Sequence, residues 1–169
     1  MKFPFNMILS LIVAVDENNG IGINGNQPAY ISADLKRFKK LTVGNTIVMG
    51  RKTFEALPKG ALPKRRNVVL TRQQNFIAGG CEIIHSPAEL NKLCSPQEKV
   101  FVIGGGEIYS LFLNTAKYIY LTLIHSRFGG VDTWFPKINE KYWRIESREG
   151  PFTDVKSGFS YSYINYIRR

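Results

Sequence analysis

Asp34 stands one helical turn before Phe38 and two turns before Leu41. In a helix these three positions share one stripe, because residues four and seven apart lie on the same face. A carboxylate at the edge of an apolar wall can grip a planar amidine-like group through two parallel hydrogen bonds. The plainer alternative is an acid that only complements the helix dipole from the first turn. Three other segments offer anion sites. Gly104-Gly105-Gly106 follows an apolar run and precedes a helical pattern. That arrangement puts bare backbone N–H groups at a helix start, where a diphosphate can come close. The run to Tyr109 lacks the third glycine of the dinucleotide fingerprint, and a turn needed only for tight packing is the alternative. Met49-Gly50-Arg51-Lys52-Thr53 offers a second helix start with two cations and a hydroxyl. Thr71-Arg72 adds a hydroxyl and a guanidinium at the end of the next strand. Two basic strand ends side by side suit a phosphate monoester, unless they are unrelated exposed charges. His85 and His125 are isolated and read as structural or exposed. Nothing resembles a Ser/His/Asp triad, a Walker loop or a metal site.

These groups need elements to carry them. Met7 to Val15 is a near-continuous apolar, β-branched run, which predicts a strand buried on both faces, as in a parallel sheet. Asp16 to Gln27 holds four asparagines and three glycines and predicts a long loop without periodicity; such loops are usually functional. Ser32 to Leu41 predicts a helix with Ser32 as N-cap. Its apolar stripe is Leu35, Phe38 and Leu41, with Lys36, Arg37, Lys39 and Lys40 covering the rest. Further strands are expected at Asn45–Met49, Asn67–Thr71, Cys81–Ile84, Lys99–Ile103 and Tyr118–Ile124. Helices are expected from Gly50 to Leu57, from Ser86 or Pro87 to Leu93, and from Glu107 to Leu113. Tyr142–Glu149 and Phe159–Ile167 predict longer, more polar strands that pair antiparallel at the C-terminal edge. Strands alternating with short helices predict an α/β sandwich around a mostly parallel sheet.

The 169 residues suit one domain, 1–169, with residues 1–6 as a short extension. Hydrophobic residues make up 44% and aromatics 12%, which excludes the disordered class. No apolar run has membrane-spanning length and no signal-peptide pattern opens the chain, so a cytoplasmic location is expected. Cys81 and Cys94 lack metal-ligand spacing and are expected to be reduced. The net charge is +10, and one window accounts for it. Between Lys36 and Arg72 lie eleven basic residues and one acid, Glu55, whereas the rest of the chain is balanced. Such a patch attracts nucleic acids, phosphorylated cofactors or polycarboxylates, unless it serves only solubility.

Taken together, these pieces closely resemble the bacterial chromosomal dihydrofolate reductases. The shared segments are SLIVAVDENNGIG, ADLKRFK, TIVMGRKTFEALPKGALPKRRNVVLTR, VFVIGGGEIY, YLTLI and DTWFP followed by a C-terminal hairpin. Their common order over nearly the whole chain from Met7 makes the match specific. The resemblance implies a three-layer sandwich around a mostly parallel eight-stranded sheet with an antiparallel C-terminal strand. It implies NADPH as cofactor, dihydrofolate as substrate, no metal, and a monomer without nucleic-acid or membrane partners. Asp34 would hold the pterin 2-amino group and ring N3, with Thr122 bridging to it. Ile12, Phe38, Leu57 and Leu62 would wall the rings, and Arg65 would pair with the glutamate α-carboxylate. The NADPH contacts would be Ala14, Gly20, Ile21, Gly22, Asn26, Gly50, Arg51, Lys52, Thr53, Thr71, Arg72, Ile103, Gly104, Gly105, Gly106, Glu107, Ile108 and Tyr109. The loop Asp16 to Gln27 would be a mobile lid. The implied chemistry is hydride transfer to pterin C6 with protonation at N5, Asp34 acting indirectly through the ring and an ordered water.

One departure stands out. Five residues before the acid, many relatives carry a tryptophan that touches substrate, and this chain has Ala29, with Tyr30 next. Either Tyr30 fills that space or the pocket is larger there. Two rival readings remain. A reductase of riboflavin synthesis has no use for a carboxylate clamp such as Arg65. A basic nucleic-acid binder fits the charge, but its basic window coincides with the expected cofactor and glutamate positions, and the aromatics form no base-stacking platform.

Overall fold

The computed structural model describes residues 6–169, so most of the expected extension at 1–6 lies outside the described residues. The chain begins with β1 (Ile8–Val15), then β2 (Gly20–Gly22) and α1 (Ser32–Thr42). β3 (Thr46–Gly50) leads into α2 (Arg51–Glu55), and β4 (Arg66–Leu70) and β5 (Cys81–Ile84) follow. A 3-10 turn, Pro87–Glu89, starts with a Ser86–Glu89 capping box and runs into α3 (Leu90–Leu93). β6 (Lys99–Gly104), α4 (Gly106–Phe112) and β7 (Tyr118–Ile124) come next. β8 (Thr133–Trp134) precedes a final hairpin of β9 (Trp143–Thr153) and β10 (Ser160–Arg168).

Eight strands form one sheet in the order β5-β4-β3-β6-β1-β7-β10-β9. The pairs from β5 to β7 are parallel, and β10 runs antiparallel to both β7 and β9. This is the mostly parallel sheet expected. Alternating side chains feed two cores. Leu9, Leu11, Val13 and Val15 of β1 face one side, closed by Leu90 of α3 and by Ile108, Tyr109 and Phe112 of α4. Ile12 faces the other, with Ile47, Met49, Val69 and Phe101, against Phe38 and Leu41 of α1 and Phe54 of α2. Burial on both faces is why β1 reads as an unbroken apolar run. Each aliphatic side chain shut off completely, such as Leu11, Ile47 or Ile119, contributes about 1.5–3 kcal/mol.

The topology also places a crevice. From β1 the chain crosses one face through α1 to β3, and from β6 it crosses the opposite face through α4 to β7. The connections thus diverge between adjacent β1 and β6, and ligands of open α/β sheets bind beyond the strand ends at such a point.

Several expectations need correction. The N-cap of α1 is Ile31 in extended conformation, not Ser32, and no side chain caps the helix. Ile31 is buried with Ile124 and Tyr161, so tertiary packing starts the helix. Leu35 is 47% exposed and leaves the apolar stripe, whereas Arg37 turns inward and is half-buried. The loop from Asp16 to Gln27 contains β2, which pairs with β8 in a separate two-stranded ribbon. The helix expected from Gly50 to Leu57 is shorter, and the one before Leu93 begins as a 3-10 turn. β9 extends to Thr153, beyond the expected Glu149.

Candidate active site

Thr122 of β7 lies beside Ala14 of β1 and opposite Tyr163 of β10. Because α1 is anchored by Ile31 against Ile124, its first turn stands over this part of the sheet. The Thr122 hydroxyl donates to Asp34 Oδ1 at 2.5 Å. Burial raises the Asp34 carboxyl above the usual carboxylate range, partly offset by the Thr122 hydrogen bond and the Arg37 charge. A half-buried acid so held is an acceptor for a flat donor pair and retains its proton to higher pH than an exposed aspartate.

The expected walls do converge. Ile12 is buried, and Phe38, Leu57, Leu62 and Ile103 pack on the same cluster. Ile103, expected among cofactor contacts, therefore joins the apolar face that carries the ring walls. Arg65 is half-buried beside the end of α1. Its Nε donates to Pro63 O at 2.9 Å and its Nη1 to Thr42 Oγ1 at 3.2 Å, with the guanidinium 6.0 Å from the Phe38 ring centre. Burial lowers its pKa, but a guanidinium stays charged. Asn67, which sequence reasoning missed, fixes this corner. Its Oδ1 accepts from Leu62 N–H, and its Nδ2 donates to Leu62 O and Arg65 O, all at 2.9 Å.

The anion segments also meet. In register, Gly50 of β3 lies beside Leu70 of β4, and Met49 beside Gly104 of β6, so three strand ends line up. Gly104 has φ +127, a conformation that side chains disfavour, and a cis peptide bond joins it to Gly105. A Cβ on Gly105 would lie 3.4 Å from Thr53 Oγ1, so the two helix starts are adjacent. Ile108 packs beneath Gly50, and Tyr109 is buried with its hydroxyl donating to Ile12 O at 2.7 Å. Burial raises the Tyr109 phenol, which stays a donor. These two side chains therefore support the turn from one side, and Thr53 lies beside Gly105. Arg51 pairs with Glu55 and Arg72 with Glu107, each at 2.8 Å. Thr71 is buried, its carbonyl 2.8 Å from His85 Nδ1 and its hydroxyl accepting from Gln73 N–H.

The loop over this edge is tied at both ends. Asp16, buried and absent from the sequence expectations, accepts N–H bonds from Asn18, Gly20 and Phe128 at 2.7–3.2 Å. Its signal was Asp-Glu-Asn-Asn-Gly, a turn-forming pattern. Asp132 Oδ2 accepts from Asn24 N–H at 2.9 Å, and Asn26 closes a turn with Ile23. Gly106 touches the β2–β8 ribbon: a Cβ there would sit 2.8 Å from Thr133 Cγ2. Beside the acid, Ala29 packs against the Ile31–Ile124–Tyr161 cluster, and Tyr30 is 57% exposed.

Fold and site together define a nicotinamide-dependent reductase of flat heterocycles, with a half-buried acid at β1 and β7 and a glycine-rich, cation-bearing edge at β3, β4 and β6. The dihydrofolate reductase family model matches residues 8–168. The dihydrofolate reductase of Staphylococcus haemolyticus is 41% identical over 160 residues, 95% of each chain. That of Bacillus subtilis strain 168 is 36% identical over 162 residues, 96% of this chain and 95% of the relative. A solved dihydrofolate reductase from Enterococcus faecalis, complexed with NADP(H) and RAB-propyl, superposes with a TM-score of 0.88 at 35% identity, covering 98% of both chains. The chain belongs to the dihydrofolate reductase family. Its activity is the NADPH-dependent reduction of dihydrofolate to tetrahydrofolate. The residues fit the cofactor: bare glycine backbone, a threonine hydroxyl and cations line one edge. Among the described residues, no cluster of His, Cys, Asp or Glu could hold a metal ion, and no helix is long and apolar enough to cross a membrane.

Proposed function

We propose that the reduction takes place at the carboxyl edge of β1, β6 and β7, with Asp34 as the acid that grips and polarises the pterin. The observation that carries this reading is the half-buried Asp34 carboxyl, hydrogen-bonded to Thr122 and raised in pKa beside an apolar wall. Asp34 accepts from the 2-amino group and ring N3, and Ile12, Phe38, Leu57 and Leu62 hold the rings flat. Arg65 pairs with the α-carboxylate of the glutamate tail. Gly50 to Thr53, Thr71, Arg72 and Gly104 to Glu107 hold the phosphates of NADPH, with Ile108 and Tyr109 supporting the turn. Ala14, Gly20, Ile21, Gly22 and Asn26 line the nicotinamide side, and Ile103 joins the floor between the two ligands. NADPH, when bound, supplies the hydride taken up at pterin C6. The N5 proton arrives through a water ordered beside the ring that Asp34 polarises, and the 16–27 loop keeps bulk solvent out.

The protein acts as one domain, as a monomer in the cytoplasm, without a nucleic-acid partner. Ion pairing of Arg51, Arg66 and Arg72 supports the last point, since it leaves less free charge for a duplex. The test is to follow NADPH absorbance after adding dihydrofolate to the purified protein. Loss of absorbance that depends on dihydrofolate and persists in salt high enough to abolish duplex binding is expected; no such loss contradicts the reading.

A further inference from the structure

The Arg37 guanidinium crosses from α1 to the sheet instead of facing solvent. Its Nη2 donates to Asn165 Oδ1 at 2.9 Å, and its Cζ sits 4.1 Å from the Tyr163 ring centre and 5.9 Å from that of Tyr120. Tyr163 is the register partner of Thr122, the residue that donates to Asp34, and Asn165 is the partner of Tyr120. Arg37 also lies one turn after Asp34 on the same helix. An aromatic face and an amide thus fix a permanent cation one helical turn from the half-buried acid.

We infer that Arg37 is a positioning residue for the reaction: its fixed charge holds Asp34 ionised down to lower pH than the apolar pocket alone would allow, and so sets the alkaline limit of turnover. This rests on the reading of Asp34 as the acid of the site. The other groups facing Asp34 do not supply such a charge. From β7 comes the Thr122 hydroxyl, from β10 the Tyr163 phenol and from α4 the Tyr109 phenol, while the Tyr120 phenol of β7 faces Arg37. Burial raises all three phenols, Tyr163 to about 12, so they are neutral at working pH. Glu149 of β9, the register partner of Tyr163, acts on Arg37. Burial works against the guanidinium, and Asp34 is the largest influence keeping it charged, so the coupling runs both ways.

Arg37→Gln keeps a hydrogen-bonding head for Asn165 and removes the charge, and Arg37→Lys keeps the charge. The Asp34 side-chain carboxyl is followed by carbon-13 NMR through a pH titration of the ligand-free protein, which needs no turnover. In parallel, single-turnover NADPH oxidation is measured against pH. The expected result is that Arg37→Gln moves both the Asp34 titration and the alkaline limb of the rate to higher pH, while Arg37→Lys leaves both near wild type. An Asp34 titration unmoved by Arg37→Gln, or moved equally by Arg37→Lys, overturns the inference. A titration that moves while the rate limb stays still overturns the role of Arg37 in turnover. Failure of the underlying reading is seen separately, as an unchanged rate profile in Asp34→Asn.

Discussion

At the scale of single residues, one carboxyl carries opposing demands. Asp34 must be dry enough to keep a proton and accessible enough to meet a substrate. Its folded pKa lies above the unfolded value of 3.8, so its favourable contribution to folding is present below that value and lost as pH rises through the folded one. Asp34→Asn, which keeps the shape and an acceptor for Thr122, is therefore expected to melt at or above the wild-type temperature at neutral pH. That advantage should vanish on acidification, as thermal melts across pH will show. Arg65 is a different case, since Pro63 and Thr42 anchor it and it is proposed to pair with the glutamate tail. Arg65→Ala should raise the dihydrofolate KM about tenfold to a hundredfold, as losing a charged hydrogen bond costs about 1.5–3 kcal/mol, with kcat nearly preserved. Steady-state kinetics decide this, and an effect confined to NADPH affinity would contradict the assignment.

At the scale of elements, close backbone approach matters more than side chains. Gly106 lets α4 start against Thr133 and Trp134 O of the β2–β8 ribbon. Gly106→Ala forces a Cβ to within 2.8 Å of Thr133 Cγ2, so the ribbon must move. A loss of about 1–3 kcal/mol in stability and weaker NADPH binding are expected, read by denaturant melts and fluorescence titration. This ribbon was also the element least visible in the sequence. Thr133–Trp134 is two residues long and has no period of its own; it is a strand only because Gly20–Gly22 pairs with it. By contrast, Cys81–Ile84 and Tyr118–Ile124 match their expected ranges, because short β-branched and aromatic runs between turns have few alternatives. The stripe of Asp34, Phe38 and Leu41 was legible from spacing. Arg37 was not, because an arginine beside lysines looks solvated until Tyr163 and Asn165, over 120 positions away, are brought beneath it. Asn67 and Thr42 were hidden likewise: both act by holding Arg65, and neither type signals that task.

At the scale of the whole molecule, a sheet with divergent crossings puts the acid and the glycine-rich, basic edge proposed to hold phosphate on one rim. The basic window that looked like a uniform patch is divided by this geometry. Arg37 packs onto the sheet, Arg65 is tied to Pro63 and Thr42 at the end of α1, and Arg66 is drawn into pairs with Glu82 and Glu98. If NADPH binds the folded rim as proposed, saturating NADPH raises the melting temperature. The gain is about 2.7 kcal/mol at a hundredfold excess over Kd, and calorimetry without substrate measures it. No rise would place the cofactor elsewhere.

The central claim is that Asp34 governs protonation of the bound pterin. It is tested most directly by single-turnover hydride-transfer rates in wild type and Asp34→Asn across pH, both saturated with NADPH. The wild-type rate should fall as pH climbs through the raised Asp34 pKa. The variant should bind NADPH normally, run about 10²–10⁴-fold slower near neutral pH, and lack that titration. A variant within a few-fold of wild type, with the same alkaline limb, would contradict the account.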